Sequence, residues 1–273
     1  MEKQYLIDSH IHTNHSFDSK ISMTKYCQRA IQLGLEKITF TDHLDFDPED
    51  ISYGYYNYEK IQKDISQVQE KFPKLTILHG VEITYQTECH RVIQEYLQNH
   101  DFDYVVGSIH ILDFDNKKFF ITLPGVRKAY LNYSMMDFIE LYYMSMEKLI
   151  DSSLFDMIGH FDVLRRYVPP SWANIREKSR EFARKCLKKA INCNIGLEVN
   201  CSGFRHGLGG PYPAREILVD YFNLGGKDIT LASDAHSASH LANFFEEGTQ
   251  IIREIGFKKL IYFSERKKID IEL

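Results

Sequence analysis

The chain has 273 residues, 44% of them hydrophobic, which is enough for one large α/β domain with a substantial core. Its formal net charge of -5 argues against a nucleic acid as the main partner, because domains that bind polyanions usually carry a basic surplus. Five cysteines without a CxxC pair, together with the lack of a signal-peptide pattern or a long apolar run, predict a cytoplasmic protein that binds no membrane.

The first predicted strand opens at residues 5–7 and leads directly into a run of polar residues. Asp8, His10 and His12 alternate with other residues there, so on a strand they should share one face. Two imidazoles that are two residues apart on one face can hold a single metal ion. An isolated HxH motif can equally be a pair of surface histidines, so its meaning depends on the rest of the chain.

Strands and helices then alternate to the end of the chain. Further strands are predicted at 37–41, 76–81, 104–109, 155–159, 196–199 and 229–233, and helices at 23–35, 58–72, 90–99, 134–150, 175–194, 214–224 and 243–255. Residues 111–133 show no clear period and are interpreted as an excursion over a site, and 260–263 as a terminal strand. The alternation predicts an α/β protein, a distorted seven-stranded (β/α)7 TIM-like barrel, with residues 1–273 in one domain.

Side chains of the types that commonly bind metal ions follow nearly every predicted strand. They are His10, His12, Asp42, His43, Glu82, His110, His160, Asp234 and His236. The carboxyl ends of barrel strands meet at one mouth, and imidazole with carboxylate is the ligand set of zinc, manganese or iron. We therefore predict a metal site at the C-terminal ends of the strands. We expect the remaining histidines, His79, His90, His100 and His240, to be surface or structural residues.

These motifs together resemble the polymerase-and-histidinol-phosphatase (PHP) superfamily. The resemblance rests on the HxH opening, Thr-Asp-His at 41–43, Gly-Val-Glu at 80–82, Ser-Ile-His at 108–110, Gly-His-Phe-Asp at 159–162 and Ser-Asp-Ala-His at 233–236. It covers nearly the whole chain. The segments Gly-His-Phe-Asp-Val-Leu-Arg and Asn-Cys-Ser-Gly-Phe-Arg are most similar to the histidinol-phosphatase branch.

The resemblance implies three divalent ions, with zinc, manganese and iron all open as the metal. The implied ligand sets are His10, His12, Glu82 and Asp234 for one ion; Glu82 as a bridge, His110 and His160 for a second; and His43, His236 and a residue of the first loop for the third. That loop residue is a histidine in many relatives, six positions after the second histidine of HxH. Asp18 stands there in this chain, so we expect Asp18, with His15 as the alternative.

The chemistry implied by such a site is phosphate-ester hydrolysis. Metal ions that share Glu82 would supply a bridging hydroxide near neutral pH, and Arg165 and Arg205, each just past a strand end, would bind the phosphate. Either Asp234, through a water, or His206 would supply the proton to the leaving alkoxide, and the sequence does not choose between them. Asp42 is assigned to the substrate side of the site, where it would orient a metal ligand.

We therefore expect a metal-dependent phosphomonoesterase that, by resemblance, acts on L-histidinol phosphate in histidine biosynthesis. The alternative is a PHP phosphoesterase or nuclease acting on another phosphate ester, although a nuclease should have a basic groove and this chain is acidic. An amidohydrolase often uses a modified lysine as the metal bridge, where this chain has Glu82. A binding module with a dead site would lack some of the ligands, and none is missing here.

Overall fold

The computed structural model describes residues 7–121, 133–167 and 173–273, apart from the side chains of 173 and 174. The strands in these ranges are β1 (Ile7–Ile11), β2 (Lys37–Phe40), β3 (Thr76–Thr84), β4 (Tyr104–Ser108), β5 (Ile111–Phe114), β6 (Lys117–Phe120), β7 (Met157–Ile158), β8 (Gly196–Asn200), β9 (Ile229–Ala232), β10 (Lys259–Ser264) and β11 (Lys267–Glu272). The helices are α1 (Met23–Leu33), α2 (Tyr58–Lys71), α3 (His90–Asn99), α4 (Met135–Ser152), α5 (Ala173–Asn192), α6 (Ser202–Arg205), α7 (Arg215–Asn223) and α8 (Phe245–Ile255).

The central sheet is parallel and nearly closes on itself. Its strand order is β1, β2, β3, β4, β7, β8 and β9, so neighbours in space follow the chain order. The first and last strands of the sheet meet at the carboxyl end of β1, where Ile11 pairs in parallel with Ala235, just after β9, and the His12 N–H donates to the Ala235 carbonyl oxygen at 2.9 Å. The predicted distorted (β/α)7 TIM-like barrel is therefore confirmed. The assignment of residues 1–273 to a single domain stays a prediction.

The helices pack on the barrel through the apolar face that their sequence period predicts. Helix α1 shows the pattern, because Met23, Tyr26, Cys27 and Ala30 recur every three or four residues and are all buried. They share a core cluster with residues of β1 and β2. The helix ends at Gly34, whose φ of 75° is a left-handed conformation that glycine adopts without a steric penalty.

A hairpin of β10 and β11 covers the amino end of the barrel. The two strands are antiparallel, and Ile261 and Phe263 of β10 pack against Tyr104 and Met157, which begin β4 and β7. The predicted strand at 260–263 is confirmed, whereas the mostly exposed β11 was not predicted. Because this end is plugged by apolar side chains, the carboxyl end is left to carry the site.

A second hairpin lies in the segment interpreted as an excursion over a site. Strands β5 and β6 are antiparallel and turn at Asp115 and Asn116, whose φ values of 52° and 57° fit a type I′ turn. The excursion was predicted but its two strands were not, and residues 122–132 lie outside the described part of the chain. Lys118 on β6 binds Asp47 and Glu49 at 2.8 and 2.9 Å, which fastens the hairpin to the loop after β2.

No helix in the described ranges is both long enough and apolar enough to cross a membrane.

Candidate metal centre

The structure brings nine of the predicted site residues together at the carboxyl end of the barrel. They are His10, His12, Asp18, His43, Glu82, His110, His160, Asp234 and His236. Parallel pairing puts the strand ends at one level, so residues far apart in sequence become neighbours. A cavity of about 390 Å³, called the metal-side cavity below, opens above them. This size is within the range of about 300–1,000 Å³ that is usual for small-molecule sites.

Glu82, near the carboxyl end of β3, lies at the centre of this group. Its Oε2 is 3.3–3.4 Å from ring nitrogens of His10, His12 and His43, and its Oε1 is 2.8 Å from His160 Nε2 and 3.5 Å from His110 Nε2. The Ser108 hydroxyl donates to Oε1 at 2.5 Å. Burial would raise the pKa of Glu82, but the surrounding histidines outweigh it and hold that pKa well below its ordinary value. Each oxygen thus faces a different set of imidazoles, which is the geometry of a bridging carboxylate.

Three groups of side chains in the described ranges converge tightly enough to hold an ion. They are His10, His12 and Asp234; Glu82, His110 and His160; and His12, Asp18, His43 and His236, with the candidate ligand atoms of each group within 4.8 Å of one another. These groups resemble the sets implied by the sequence motifs, with His12 reaching two of them.

The donor atoms themselves suit metal ions. The Nε2 atoms of His10 and His12 are 2.9 Å apart, and those of His110 and His160 are 3.2 Å apart. Two nitrogens bound to one tetrahedral zinc ion are separated by about 3.3 Å, given a Zn–N distance of about 2.0–2.1 Å. Facing imidazole nitrogens can otherwise share only one proton between them. The residues present therefore fit divalent metal ions.

Two of these residues have strained backbones. His160 has φ 20° and Asp234 has φ 54°, both in the left-handed region that residues other than glycine rarely adopt. Such strain costs on the order of 1–3 kcal/mol and persists where surrounding contacts impose it, often at functional sites. Both residues lie two positions beyond the ends of β7 and β9 and line the cavity.

The structure separates Asp18 from its alternative, His15. Asp18 Oδ2 is 2.9 Å from His236 Nε2 and 3.5 Å from His43 Nε2, beside the cavity. His15 instead lies 2.9 Å from Asp64 Oδ2 on α2. The geometry therefore favours Asp18 as the loop residue of the third group.

Asp42 was placed on the substrate side of the site by the sequence analysis, but in the structure it does not line the cavity. It is buried behind the first loop, where Oδ1 accepts from the Thr13 N–H at 2.5 Å and Oδ2 from the Thr13 hydroxyl at 2.7 Å. The same loop carries Ser16, whose hydroxyl is 3.1 Å from His12 Nδ1 and accepts from the His43 N–H at 2.9 Å. Asp42 therefore supports the loop that orients two histidines, in keeping with the expected role of orienting a metal ligand, but it is not among the residues that line the cavity.

The two predicted arginines occupy different places. Arg205 lines the metal-side cavity and donates to the carbonyl oxygens of Ser233 and Asp234 at 2.7 and 2.8 Å. Arg165 lines a separate cavity, where it donates to the Pro211 carbonyl oxygen at 2.6 Å. Its neighbour Arg166 lines the metal-side cavity instead. Arg166, rather than Arg165, is thus the arginine of this pair that lies beside the metal-side cavity.

The two candidates for the proton donor differ in their surroundings. Burial, together with Arg166 and Arg205, lowers the pKa of His206 to about 4, so this imidazole is neutral near neutral pH. Burial would raise the pKa of Asp234, but His10, His236 and their neighbours outweigh it and lower that pKa. Asp234 Oδ2 accepts from the Asn200 amide and the Ser202 hydroxyl, both at 3.2 Å.

Some residues of the site were missed by the sequence analysis. Glu198 is buried in β8 with its Oε2 2.6 Å from His10 Nδ1, and the only sequence signal was a carboxylate inside the apolar run Gly-Leu-Glu-Val-Asn. His240, expected to be a surface or structural residue, lines the metal-side cavity. His79 is structural as expected, 2.9 Å from the Tyr56 hydroxyl and 2.8 Å from the Gln62 amide.

Comparison with known families gives one extended match. Residues 8–202 match the PHP domain family. Two similar curated proteins are the histidinol-phosphatase of Lactococcus lactis subsp. lactis, 26% identical over 96% of this chain and 95% of its own length, and the probable histidinol-phosphatase of Deinococcus radiodurans, 27% identical over 96% and 98%.

A solved structure agrees over the same extent. It is the crystal structure of the histidinol phosphate phosphatase of Lactococcus lactis subsp. lactis, complexed with zinc, L-histidinol and phosphate. It superposes with a TM-score of 0.82 at 25% identity and covers 97% of this chain and 98% of the other.

Proposed function

Because the chain belongs to the PHP domain family, we propose that it hydrolyses L-histidinol phosphate to L-histidinol and phosphate, with divalent metal ions as cofactors. The observation that carries the proposal is Glu82 between five imidazoles, beneath a cavity that two arginines also line. Full-length similarity to proteins named histidinol-phosphatase supports this substrate over another phosphate ester.

Three ions are proposed, one for each group of converging side chains. Glu82 would join the first two groups, and Asp18 would complete the third. When bound, such ions lower the pKa of a water molecule towards neutrality and neutralise charge on the phosphoryl group. Zinc and manganese both suit this nitrogen and oxygen donor set.

The substrate phosphate is proposed to bind Arg205 and Arg166. Two N–H groups of Arg205 are used by backbone carbonyls, which fix the guanidinium at the cavity wall and leave other donors for phosphate oxygens. Arg166 is exposed at the mouth, where it would attract the anion. His206, held 3.1 Å from the Tyr212 hydroxyl, would contact the substrate as a neutral imidazole.

Asp234 is proposed to move the proton. Its carboxylate can accept a proton from the attacking water and pass it, through a water, to the leaving alkoxide. The neutral state of His206 disfavours it as the donor, because an imidazole gives up a proton readily only from its charged form.

The test is a substrate panel with defined metal content. Metal-free protein reconstituted with zinc or manganese should release phosphate from L-histidinol phosphate with a higher kcat/KM than from p-nitrophenyl phosphate, and should leave a dinucleotide diester intact. A chelator should abolish turnover, and metal should restore it. Preferred cleavage of the diester, or no phosphate release from L-histidinol phosphate with any metal, would reject the proposal.

We also expect the acid limb of the activity profile to move with the concentration of free metal. Burial would lower the pKa of His43, but Glu82 and Asp18 outweigh it and raise that pKa to about 10 in the metal-free site. His43 therefore holds a proton across the neutral range until metal displaces it, so the apparent metal affinity falls as the pH falls. A hundredfold increase in free metal should shift the limb down by about one to two pH units, depending on how many protons compete per ion.

Initial rates at several fixed concentrations of free metal, measured after equilibration, would give this shift. A limb that stays in place would assign it to a water or to the substrate phosphate and would reject competition between protons and metal. The phosphatase activity itself would be unaffected by that outcome.

A further inference from the structure

Glu198 is a buried carboxylate that contacts two of the candidate ligand groups at once. Its side chain is 0% exposed at the middle of β8, below the metal-side cavity. Oε2 is 2.6 Å from His10 Nδ1. Oε1 accepts from the His160 N–H at 3.2 Å and from the Asn200 amide at 2.7 Å. All three partners are donors toward this carboxylate.

The contact with His10 fixes which ring nitrogen is free for a metal ion. An ionised carboxylate can only accept hydrogen bonds, so the proton of a neutral His10 must be on Nδ1. The lone pair of Nε2 is then directed at His12 Nε2 and at Glu82 Oε2, 2.9 and 3.3 Å away. Histidines that bind metals commonly give their second nitrogen to such a partner.

The other oxygen supports the neighbouring group. His160 is one of the two residues with strained backbones, and its N–H is held by Glu198 at the residue where the strain occurs. The Asn200 amide lies between Glu198 Oε1 and Asp234 Oδ2, at 2.7 and 3.2 Å, so it links the carboxylate to the second strained residue. One side chain therefore contacts His10 and His160 directly and is linked to Asp234 through Asn200.

We propose that Glu198 is a positioning residue that sets the geometry of the His10/His12/Asp234 group and of the Glu82/His110/His160 group together. This inference rests on the metal site described under the proposed function and extends it. According to this inference, one carboxylate that belongs to neither group couples the two metal positions.

Glutamine at this position cannot reproduce the contacts, although it has nearly the same shape. An amide has one accepting oxygen, whereas the three donors approach Glu198 from two sides. If the oxygen faces His160 and Asn200, the NH2 group faces His10 Nδ1 and forces the ring proton onto Nε2, where the metal would bind. If the amide is flipped, two donors face its NH2 group and the His160 backbone loses its support.

The experiment measures metal binding by Glu198→Gln in the full-length protein. Zinc affinity from competition with a chromophoric chelator should fall by about 10–100-fold, the usual effect of removing such a supporting contact. Cobalt-substituted protein should show a changed visible absorption spectrum, because the ligand geometry at both positions changes. Asp220→Asn is the matched control, since Asp220 is a buried carboxylate that binds Arg180 and Arg184 away from the site. It should keep wild-type affinity and spectrum.

Wild-type protein provides a second measurement that needs no variant. Nitrogen-15 correlation spectra of the zinc-loaded enzyme should show His10 protonated at Nδ1. A proton on Nε2, or zinc affinity and cobalt spectra of Glu198→Gln that match wild type, would overturn the role of Glu198. Wild-type protein that binds no zinc would instead reject the proposed metal site, and this inference with it.

Discussion

Replacing Glu82 with glutamine is expected to lower kcat/KM for L-histidinol phosphate by about three orders of magnitude or more. Bound metal ions supply several kcal/mol of transition-state stabilisation, and a loss of about 4 kcal/mol corresponds to a rate about 10³-fold lower. Glu82 reaches all five imidazoles around it through its two oxygens. An amide offers one oxygen, so one set of histidines would face its NH2 group.

Elemental analysis should accompany the kinetics. We expect Glu82→Gln to bind fewer ions per chain than wild type, because among the described residues Glu82 is the only carboxylate within 4 Å of ring nitrogens of both His43 and His160. Asp220→Asn again serves as the control for loss of a buried carboxylate and should retain both metal and activity. A Glu82→Gln enzyme that kept its full metal content and lost less than tenfold in kcat/KM would show that Glu82 does not bridge ions.

The barrel and most of the candidate ligands could be predicted from the sequence because both signals are local. A buried strand followed at once by His or Asp is a short pattern, and parallel strands in a barrel bring such ends to one mouth. His43, Glu82 and Asp234 were found in this way, from strand and motif alone. The chain order of the strands in the sheet then followed from the alternation with helices.

The elements that were missed lack that local signal. In the hairpin of β5 and β6 the apolar residues are adjacent rather than alternating, as at Ile111-Leu112 and Phe119-Phe120, so neither a strand nor a helix period appears. Strand β11 is largely exposed, and its pairing with β10 rather than its own composition makes it a strand. Tertiary contact decides both cases.

Contacts between distant residues explain the errors inside the site. Glu198 is 188 positions from His10, so the sequence offered a carboxylate in an apolar strand but no partner for it. Asp42 was expected to face the cavity, yet the first loop folds back so that Thr13 takes both of its oxygens. Arg165 and Arg166 are adjacent in the 3-10 turn Val163–Tyr167, where successive side chains point about 120° apart, so spacing could not choose between them.

Arg165 and Arg166 also provide a matched comparison for the second prediction with a large expected effect, which is the loss of a phosphate-binding arginine. Arg205→Met and Arg166→Met should each lower kcat/KM by about 10–100-fold, since a charge-assisted hydrogen bond contributes roughly 1.5–3 kcal/mol. Arg205 should have the larger effect, because it is partly buried and fixed by Ser233 and Asp234, whereas Arg166 is exposed and its charge is screened by solvent. Inorganic phosphate should inhibit both variants more weakly than wild type.

Arg165→Met should retain nearly wild-type kcat/KM while lowering the thermal stability. Its guanidinium donates to the Pro211 carbonyl oxygen and packs over the Tyr212 ring, 5.5 Å from the ring centroid, so its loss affects the fold near the cavity rather than the anion. Melting curves and phosphate inhibition on all three variants separate these effects. If Arg165→Met loses as much kcat/KM and phosphate affinity as Arg205→Met, the phosphate is bound from the Arg165 side, and the assignment of Arg166 to the site is wrong.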